Sequence, residues 1–213
     1  MHYDESYFMW QKGMGEIGGH AELFKFHECV NQEDSVLDFG CGGGFVLKNL
    51  NCHRRLGVEI NPSAREYAKS QGVEVFESVE ELPNEIIDVV ISNHALEHVP
   101  SPFDVLTVLR RKVKSNARFV FVIPHDCMDE AWRENDINMH LYTWNSMTLG
   151  NLFVSAGYTV ERVDVIRHCW PSFYTHILKY GGKKWFHRLG YLEAWLRRRY
   201  QVRVIARPNA MRK

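Results

Sequence analysis

The sequence predicts an α/β fold built on a doubly wound, largely parallel sheet, with a ligand site at the carboxyl ends of its strands. An apolar run at 36–39 ends in a glycine-rich turn at 40–44 (Gly-Cys-Gly-Gly-Gly), a pattern typical of a buried strand that turns tightly into a helix. Strand-like and helix-like segments then alternate to about residue 126, as they do when crossover helices join parallel strands. Ligands of such sheets bind at the strand ends.

Length and composition fit one folded domain. The chain has 213 residues, 45% of them hydrophobic, which is enough for a large core. No apolar run approaches the roughly 20 residues that span a membrane, and the N-terminus lacks the apolar stretch of a signal peptide. The five cysteines form no Cys-x-x-Cys pair. We therefore expect a single domain over 1–213, in a reduced, cytoplasmic protein.

Charge is balanced overall but distributed unevenly. The 26 Lys and Arg residues equal the 26 Asp and Glu residues, yet residues 179–213 hold 11 basic residues and a single acid, Glu193. A basic segment of this kind favours anionic partners.

The spacing of the glycines distinguishes two kinds of nucleotide ligand. The dinucleotide fingerprint G-x-G-x-x-G, counted from Gly40, needs a third glycine where the chain has Phe45. Asp38 lies just before the turn, and its carboxylate favours a cationic ligand group and repels a diphosphate. An NAD-dependent oxidoreductase is therefore disfavoured.

The segment 38–44 (D-F-G-C-G-G-G) resembles motif I of the class I S-adenosylmethionine (SAM) methyltransferases. SAM carries a cationic methionine amine and no pyrophosphate. A second strand at 56–60 brings Glu59 to its tip, 19 residues after Gly40, where an acid accepts hydrogen bonds from ribose hydroxyls. Asn61 and Pro62 are suited to begin the next helix, which ends near Gly72. The resemblance assigns SAM binding here to Asp38, Gly40, Cys41, Gly42, Glu59 and Ile60.

Two later segments extend the resemblance over about 33–126. A third strand at 73–76 is followed by Glu77 and Ser78, and by resemblance one of these two contacts the adenine. A fourth strand at 86–92 leads into N-H-A-L-E-H-V at 93–99, and a helix with Ser101 as its N-cap precedes a fifth strand at 119–123. The L-E-H-V segment is similar to the small-molecule branch, the type 11 and type 23 methyltransferases. Asn93 is assigned to the cofactor by the same likeness.

The family's fold implies a Rossmann-like sheet of seven strands with the last one antiparallel. A helix to Ala156, a strand at 159–165 and a last strand at 202–206 fit that order. Residues 166–201, where the family usually has a tight hairpin, form a longer insertion that we expect to be a lid or substrate platform. Residues 1–32 are expected to cap the cofactor; four glycines at 13–19 break this segment, and a helix follows at 21–30.

The resemblance implies methyl transfer from SAM to a hydroxyl or amine of a small molecule, such as a sugar, quinone, lipid-linked compound or secondary metabolite. Two alternatives stay open. The basic tail suits an RNA methyltransferase, although no recognised RNA-binding motif accompanies it, so nucleic acid is disfavoured. A SAM-binding module without catalysis would require a closed or unlined pocket.

Three histidines after strands 4 and 5 are candidate general bases, because a neutral imidazole titrates near physiological pH. They are His94, His125 and His140. In a second interpretation, one helical turn brings His94, Glu97 and His98 together around a divalent metal. The segment resembles the E-x-x-E-H of ubiquinone-pathway O-methyltransferases, with His94 in place of the first acid. In a third, Glu97 and His98 only pack the loop. We assign base catalysis and no metal.

The insertion contains an amphipathic pattern. Trp185, Leu189, Leu192 and Leu196 recur at helical spacing among basic residues. This stripe either docks the helix on the sheet or, over 183–200, faces an anionic or lipid-linked acceptor or a membrane surface.

Overall fold

The computed structural model describes residues 5–125, 131–134 and 136–210. A seven-stranded sheet has the spatial order β3-β2-β1-β4-β5-β7-β6. Its strands are β1 Ser35–Phe39, β2 Arg54–Val58, β3 Glu74–Phe76, β4 Ile87–Asn93, β5 Val113–His125, β6 Tyr158–Ile166 and β7 Tyr200–Pro208. The first five pair in parallel, and β7 runs antiparallel to both of its neighbours. The predicted fold class, with its antiparallel last strand, is confirmed.

Five α-helices accompany the sheet in the described part of the chain. They are α1 Glu5–Ala21, α2 Pro62–Ser70, α3 Pro102–Lys112, α4 Ser146–Ser155 and α5 Tyr174–Arg197. Short 3₁₀ turns occur at Leu23–Lys25, His27–Cys29, Leu47–Asn49, Val79–Glu81 and Leu96–His98. None of the described helices is both long and apolar enough to cross a bilayer.

Alternating side chains of the buried strands build a core on each face of the sheet. In β5, Phe119 and Phe121 point to one face, where α3 and α4 pack, while Val120 and Val122 point to the other. All four are fully buried. This period of two follows from the pleat, which sends successive side chains to opposite faces, and burial of both faces explains the continuous apolar run.

Two N-cap residues were predicted from the sequence, and their side chains behave differently in the structure. Asn61 caps α2 as expected, since its side-chain oxygen accepts from the N–H groups of Ser63 and Ala64. Ser101 occupies the N-cap position of α3, but its hydroxyl donates to the Asp104 carboxylate at 2.5 Å and caps no backbone N–H. The predicted N-cap position of Ser101 is therefore confirmed, although its side chain does not cap the helix backbone.

The N-terminal segment is where the structure departs most from the sequence prediction. The glycines at 13–19 do not break it, because α1 is continuous through them. The helix expected at 21–30 is replaced by two 3₁₀ turns. The helix expected directly after the glycine-rich turn is also absent, and only Leu47–Asn49 forms a 3₁₀ turn there. Gly42 and Gly44 have positive φ angles of 51° and 73°, which a right-handed helix cannot contain.

Candidate active site

Two adjoining cavities lie at the carboxyl ends of the parallel strands. The larger has a volume of about 1080 Å³ and the smaller about 310 Å³. Both are lined by the residues at their junction: Tyr7, Gln11, Gly40, His94 and His98. The carboxyl ends of the parallel strands therefore carry one cleft with two compartments, at the edge where open α/β sheets bind ligands.

The glycine turn uses its first N–H groups internally. Gly40 N and Cys41 N both donate to the Val58 carbonyl oxygen, at 2.9 and 3.1 Å, and Gly42 N donates to Glu59 Oε2 at 2.8 Å. Because no α-helix begins directly after the turn, a ligand meets no helix N-terminus here. Recognition at this turn therefore depends on carboxylates and shape, which suits a cationic ligand better than a phosphate.

Asp38 places an uncompensated carboxylate at the large cavity. It is buried, and it lines that cavity. Burial and then the nearby Glu59 charge raise its pKa well above the usual range. Within 5–125, 131–134 and 136–210, no group donates a hydrogen bond to it or pairs with it. A cationic ligand group at this position would satisfy a carboxylate that the protein itself leaves unpaired.

Glu59 links the glycine turn to α2 and faces the small cavity. Its two carboxylate oxygens accept from Gly42 N and from Asn61 N, each at 2.8 Å. Burial raises its pKa, while these N–H groups oppose the rise. The neighbouring Ile60 is exposed and lines the same cavity. An acid with an apolar neighbour suits a ribose with its attached base.

Glu77 and Ser78 both line the small cavity, but their side chains differ in what they contact. The Arg65 guanidinium donates to Glu77 Oε2 at 2.9 Å, and the Glu77 side chain is largely exposed. Ser78 is half-buried, and its hydroxyl has no hydrogen-bond partner among the described residues. Of the two, Ser78 keeps its side chain available to a ligand.

Helix α1 closes the cleft by packing directly on the glycine turn. A Cβ at Gly15 would lie 2.3 Å from the Phe45 ring, and one at Gly19 would lie 2.1 Å from the Phe45 carbonyl oxygen. These two glycines therefore allow a close helix–turn contact. Tyr7 and Gln11 of the same helix line both cavities.

The three candidate histidines all line the large cavity. His125 is exposed at the end of β5 and His140 is half-buried. His94 follows β4 with a φ of 57°, rare for a residue with a side chain, and its N–H donates to the Val122 carbonyl oxygen at 2.9 Å. Such a backbone at a cleft is a recurrent feature of functional sites. Asp126, the residue that follows His125 in the sequence, lies outside the described residues.

Gln201 fixes which nitrogen of His94 carries hydrogen. The Gln201 side-chain nitrogen donates to the His168 carbonyl oxygen at 2.8 Å, and a carbonyl can only accept. Gln201 Oε1, which lies 2.9 Å from His94 Nε2, must therefore be the acceptor. Neutral His94 consequently carries its hydrogen on Nε2 and its lone pair on Nδ1.

The charge state of His94 is set by its position in the cleft. His94 is exposed, and it lines both cavities. Desolvation by the protein around the cleft and the Lys25 ammonium lower its pKa to about 4, although Glu22 and the Gln201 hydrogen bond act in the opposite direction. At neutral pH the imidazole is uncharged, with its Nδ1 lone pair available.

Comparison with known proteins decides the family. Residues 20–163, more than half of the chain, match the family model described as a methyltransferase domain. The chain belongs to the class I SAM-dependent methyltransferases. The expected family and cofactor, SAM, are confirmed.

Individual relatives of this methyltransferase are distant. The ubiquinone biosynthesis O-methyltransferase of Schizosaccharomyces pombe is 35% identical over 117 residues, which cover 47% of this chain and 41% of the relative. The chain thus spans about two fifths of that curated relative. Two solved structures share the fold. One is a chain from the complex between the Haloferax volcanii Trm112 methyltransferase activator and a methyltransferase, with TM-score 0.71, 20% identity, and coverage of 95% of this chain and 97% of that one. The other is a SAM-dependent methyltransferase from Mesorhizobium loti, with TM-score 0.61, 17% identity, and coverage of 90% and 99%.

The methyltransferase also holds a buried polar network that the sequence prediction missed. Lys25 Nζ contacts the Glu22 carboxylate and donates to Asn93 Oδ1 at 2.9 Å. Trp170 Nε1 donates to Glu22 Oε1 at 2.7 Å. Burial by itself would raise the pKa of Glu22, but the Lys25 and His94 charges and the hydrogen bonds from Lys25 and Trp170 together lower it to about 2. The i, i+3 spacing of Glu22 and Lys25 within an apolar stretch was the available sequence signal.

This network changes the expected surroundings of Asn93. Its side chain lines the large cavity but is occupied by Lys25 and by Glu22, to which Asn93 Nδ2 donates at 3.2 Å. The Cys41 side chain also faces the protein, since a Cβ on Gly57 in β2 would lie 2.5 Å from its sulfur. Both residues were assigned to the cofactor, and each has a side chain engaged within the protein.

The alternative grouping of His94, Glu97 and His98 around a metal is wrong. Left-handed backbone at His94 turns its ring toward Gln201, and the 3₁₀ turn at Leu96–His98 begins only after it. Instead, Glu97, His98 and His140 place possible ligand atoms within 4.8 Å of one another. The His98 and His140 rings lie 5.0 Å apart. A metal alternative for this methyltransferase therefore involves His140 in place of His94.

Proposed function

We propose that this methyltransferase transfers a methyl group to a hydroxyl oxygen of a small molecule, with His94 as the general base. The supporting observation is the position of an uncharged imidazole at the junction of the two cavities. Its Nδ1 lone pair has no hydrogen-bond donor among the described residues. A hydroxyl acceptor needs such a base, because its oxygen must lose a proton when it is methylated.

The residues present fit SAM. The unpaired Asp38 carboxylate suits the methionine ammonium, the Glu59 carboxylate suits the ribose hydroxyls, and Ile60 and Ser78 suit the adenine. Bound there, SAM supplies an electrophilic methyl group.

The protein's own contribution is positioning and proton transfer. A hydroxyl proton becomes strongly acidic as its oxygen gains a third bond, to the incoming methyl group, so a base whose pKa is about 4 accepts it readily. Gln201 holds the Nε2 hydrogen and keeps Nδ1 directed to this task. The cleft also holds the reacting groups together, which supplies much of the rate in such displacements.

The acceptor we propose is a phenolic or related hydroxyl compound. The relative from Schizosaccharomyces pombe is named as an O-methyltransferase of ubiquinone biosynthesis, which favours a hydroxylated ring over an amine. Arg197, Arg198 and Arg199 line the large cavity, so an anionic substituent on the acceptor would be stabilised there.

The test is a panel of acceptors incubated with methyl-labelled SAM. Catechols and hydroxybenzoates should be methylated on oxygen, and matched anilines should not. Replacement of His94 by Asn, a residue that tolerates left-handed backbone, should lower kcat by roughly 100-fold, the lower range for a general base. Methylation of RNA or of the anilines with unreacted phenols would overturn the proposal.

A further inference from the structure

Helix α5 is attached to the protein by a face that lies away from the stripe of Trp185, Leu189, Leu192 and Leu196. Its buried residues are Phe186, Gly190 and Ala194. A Cβ at Gly190 would lie 2.5 Å from the Cys169 carbonyl oxygen and 2.6 Å from His168 Nε2, so this face approaches the preceding segment closely. The stripe of Trp185, Leu189, Leu192 and Leu196 therefore does not dock the helix.

The opposite side of α5 exposes large apolar side chains, which we call the outer face. Trp185, Leu192, Trp195 and Leu196 are 52%, 53%, 66% and 65% exposed. Tyr180, before the break at Gly182, is 77% exposed. Contiguous exposed apolar residues of this size mark an interaction surface.

The charges beside the outer face are almost all positive. Residues 179–199 contain seven Lys or Arg residues and one acid, Glu193. That acid is already engaged, because it accepts from Ser172 and pairs with Arg197 at 2.8 Å. The Arg188 guanidinium lies 5.7 Å from the centre of the Trp185 ring. Tryptophan and leucine beside cationic side chains are the composition of helices that lie in the interface of an anionic bilayer.

The outer face also leads into the cleft. It ends at Leu196, and the next three residues, Arg197 to Arg199, line the large cavity together with His140. A bilayer against the outer face would therefore lie beside the acceptor compartment.

We infer that α5 binds the surface of an anionic lipid bilayer, and that the acceptor is an amphiphile which enters the large cavity from that surface past Arg197–Arg199. The inference rests on the proposed function, since it names the source of the hydroxyl acceptor. Charge complementarity selects an anionic bilayer over a neutral one, and the aromatic residues supply the apolar contact.

Flotation with phosphatidylglycerol/phosphatidylcholine vesicles and with pure phosphatidylcholine vesicles tests the inference. The protein should bind the anionic vesicles at least tenfold more strongly, and less so at high salt. The double substitution Trp185→Ser/Trp195→Ser should reduce that binding at least tenfold. Trp132→Ser is the matched control, because Trp132 is 85% exposed outside α5; this variant should bind as the wild type does.

Three outcomes would overturn the inference: no binding to anionic vesicles at low salt, equal binding by the double variant, or a dimer in solution that the same substitutions dissociate. The dimer would show that a second copy covers the outer face. Methylation of water-soluble phenols separates the two proposals. If such phenols are methylated by a protein that does not bind vesicles, only the membrane inference fails. Vesicle binding without any hydroxyl methylation supports α5 as a bilayer-binding helix, but it contradicts the proposed function and the hydroxyl acceptor that depends on it.

Discussion

Gln201 Oε1 accepts the Nε2 hydrogen of His94 across 2.9 Å, and the Gln201 amide is itself oriented by the His168 carbonyl. Gln201→Glu should therefore change the base without removing it. A carboxylate at this position stabilises the imidazolium and raises the pKa of His94 from about 4. Because His94 acts in its uncharged form, the acid limb of the kcat–pH profile should move from about pH 4 to higher pH.

The wild-type profile should accordingly be flat for this group between pH 6 and 8. Gln71→Glu adds the same charge at the end of α2 and is the control; its profile should match the wild type. Superimposable profiles for Gln201→Glu and the wild type would show that Gln201 does not act on the base.

Binding of SAM should release protons, because an ammonium group beside Asp38 favours the ionised carboxylate. Burial raises the pKa of free Asp38, and a bound cation lowers it again. The calorimetric binding enthalpy should therefore differ between phosphate and Tris buffers. Asp38→Asn should reduce this buffer dependence and weaken binding by at least tenfold, in line with a lost charged hydrogen bond. An unchanged buffer dependence would assign the proton to another group.

Glu59→Ala should weaken SAM binding by roughly 1–3 kcal/mol, the range for a hydrogen bond to a charged group. The substitution also removes the acceptor for Gly42 N and Asn61 N. Glu77→Ala is the comparison, since the Glu77 carboxylate is occupied by Arg65. Titration calorimetry on both variants distinguishes them. Equal losses would mean that Glu59 has no special part in binding.

Strand positions were predictable because a buried parallel strand shows itself locally, as an apolar run that ends in glycine or polar residues. Glu59 was placed correctly at a strand tip for that reason, since it follows β2 and lines the small cavity. Neither Gln201 nor its contact with His94 was predictable, because the two residues are 107 positions apart and only the antiparallel pairing of β7 with β5 brings them together.

Helix α1 was mispredicted because the glycines in it serve tertiary packing. Local propensity assigns a glycine in a helix a cost of about 1 kcal/mol. The close packing of α1 against the Phe45 carbonyl, which offsets this cost, is not visible in the sequence. For a related reason, the sequence left open whether the apolar stripe of α5 docks the helix or faces another surface. Periodicity identifies an apolar stripe but does not tell whether protein or another surface covers it.

The two kinds of glycine in α1 predict opposite effects of the same substitution. Gly19→Ala should lower the free energy of unfolding by about 1–3 kcal/mol, the range for overpacking, since its Cβ would meet the Phe45 backbone. The Cβ of Gly13→Ala would have no neighbour within 4 Å among the described residues. This substitution should therefore raise the free energy of unfolding by up to about 1 kcal/mol. Urea denaturation measures both. Similar effects of the two substitutions would contradict the close packing of α1 on the glycine turn.

Excess chelator should leave methyl transfer unchanged, because the His94 lone pair accepts the proton without help from a metal. Glu97, His98 and His140 nevertheless lie close enough to share an ion, so His140→Gln and His94→Asn separate the alternatives. If His94 is the general base, His94→Asn should lose most of its kcat while its affinity for SAM is unchanged, and His140→Gln should lose less. His53→Gln, at an exposed histidine outside the cleft, controls for loss of an imidazole. Activity that falls in chelator and returns with magnesium or zinc, together with inactive His140→Gln, would replace the base by a metal that lowers the hydroxyl pKa.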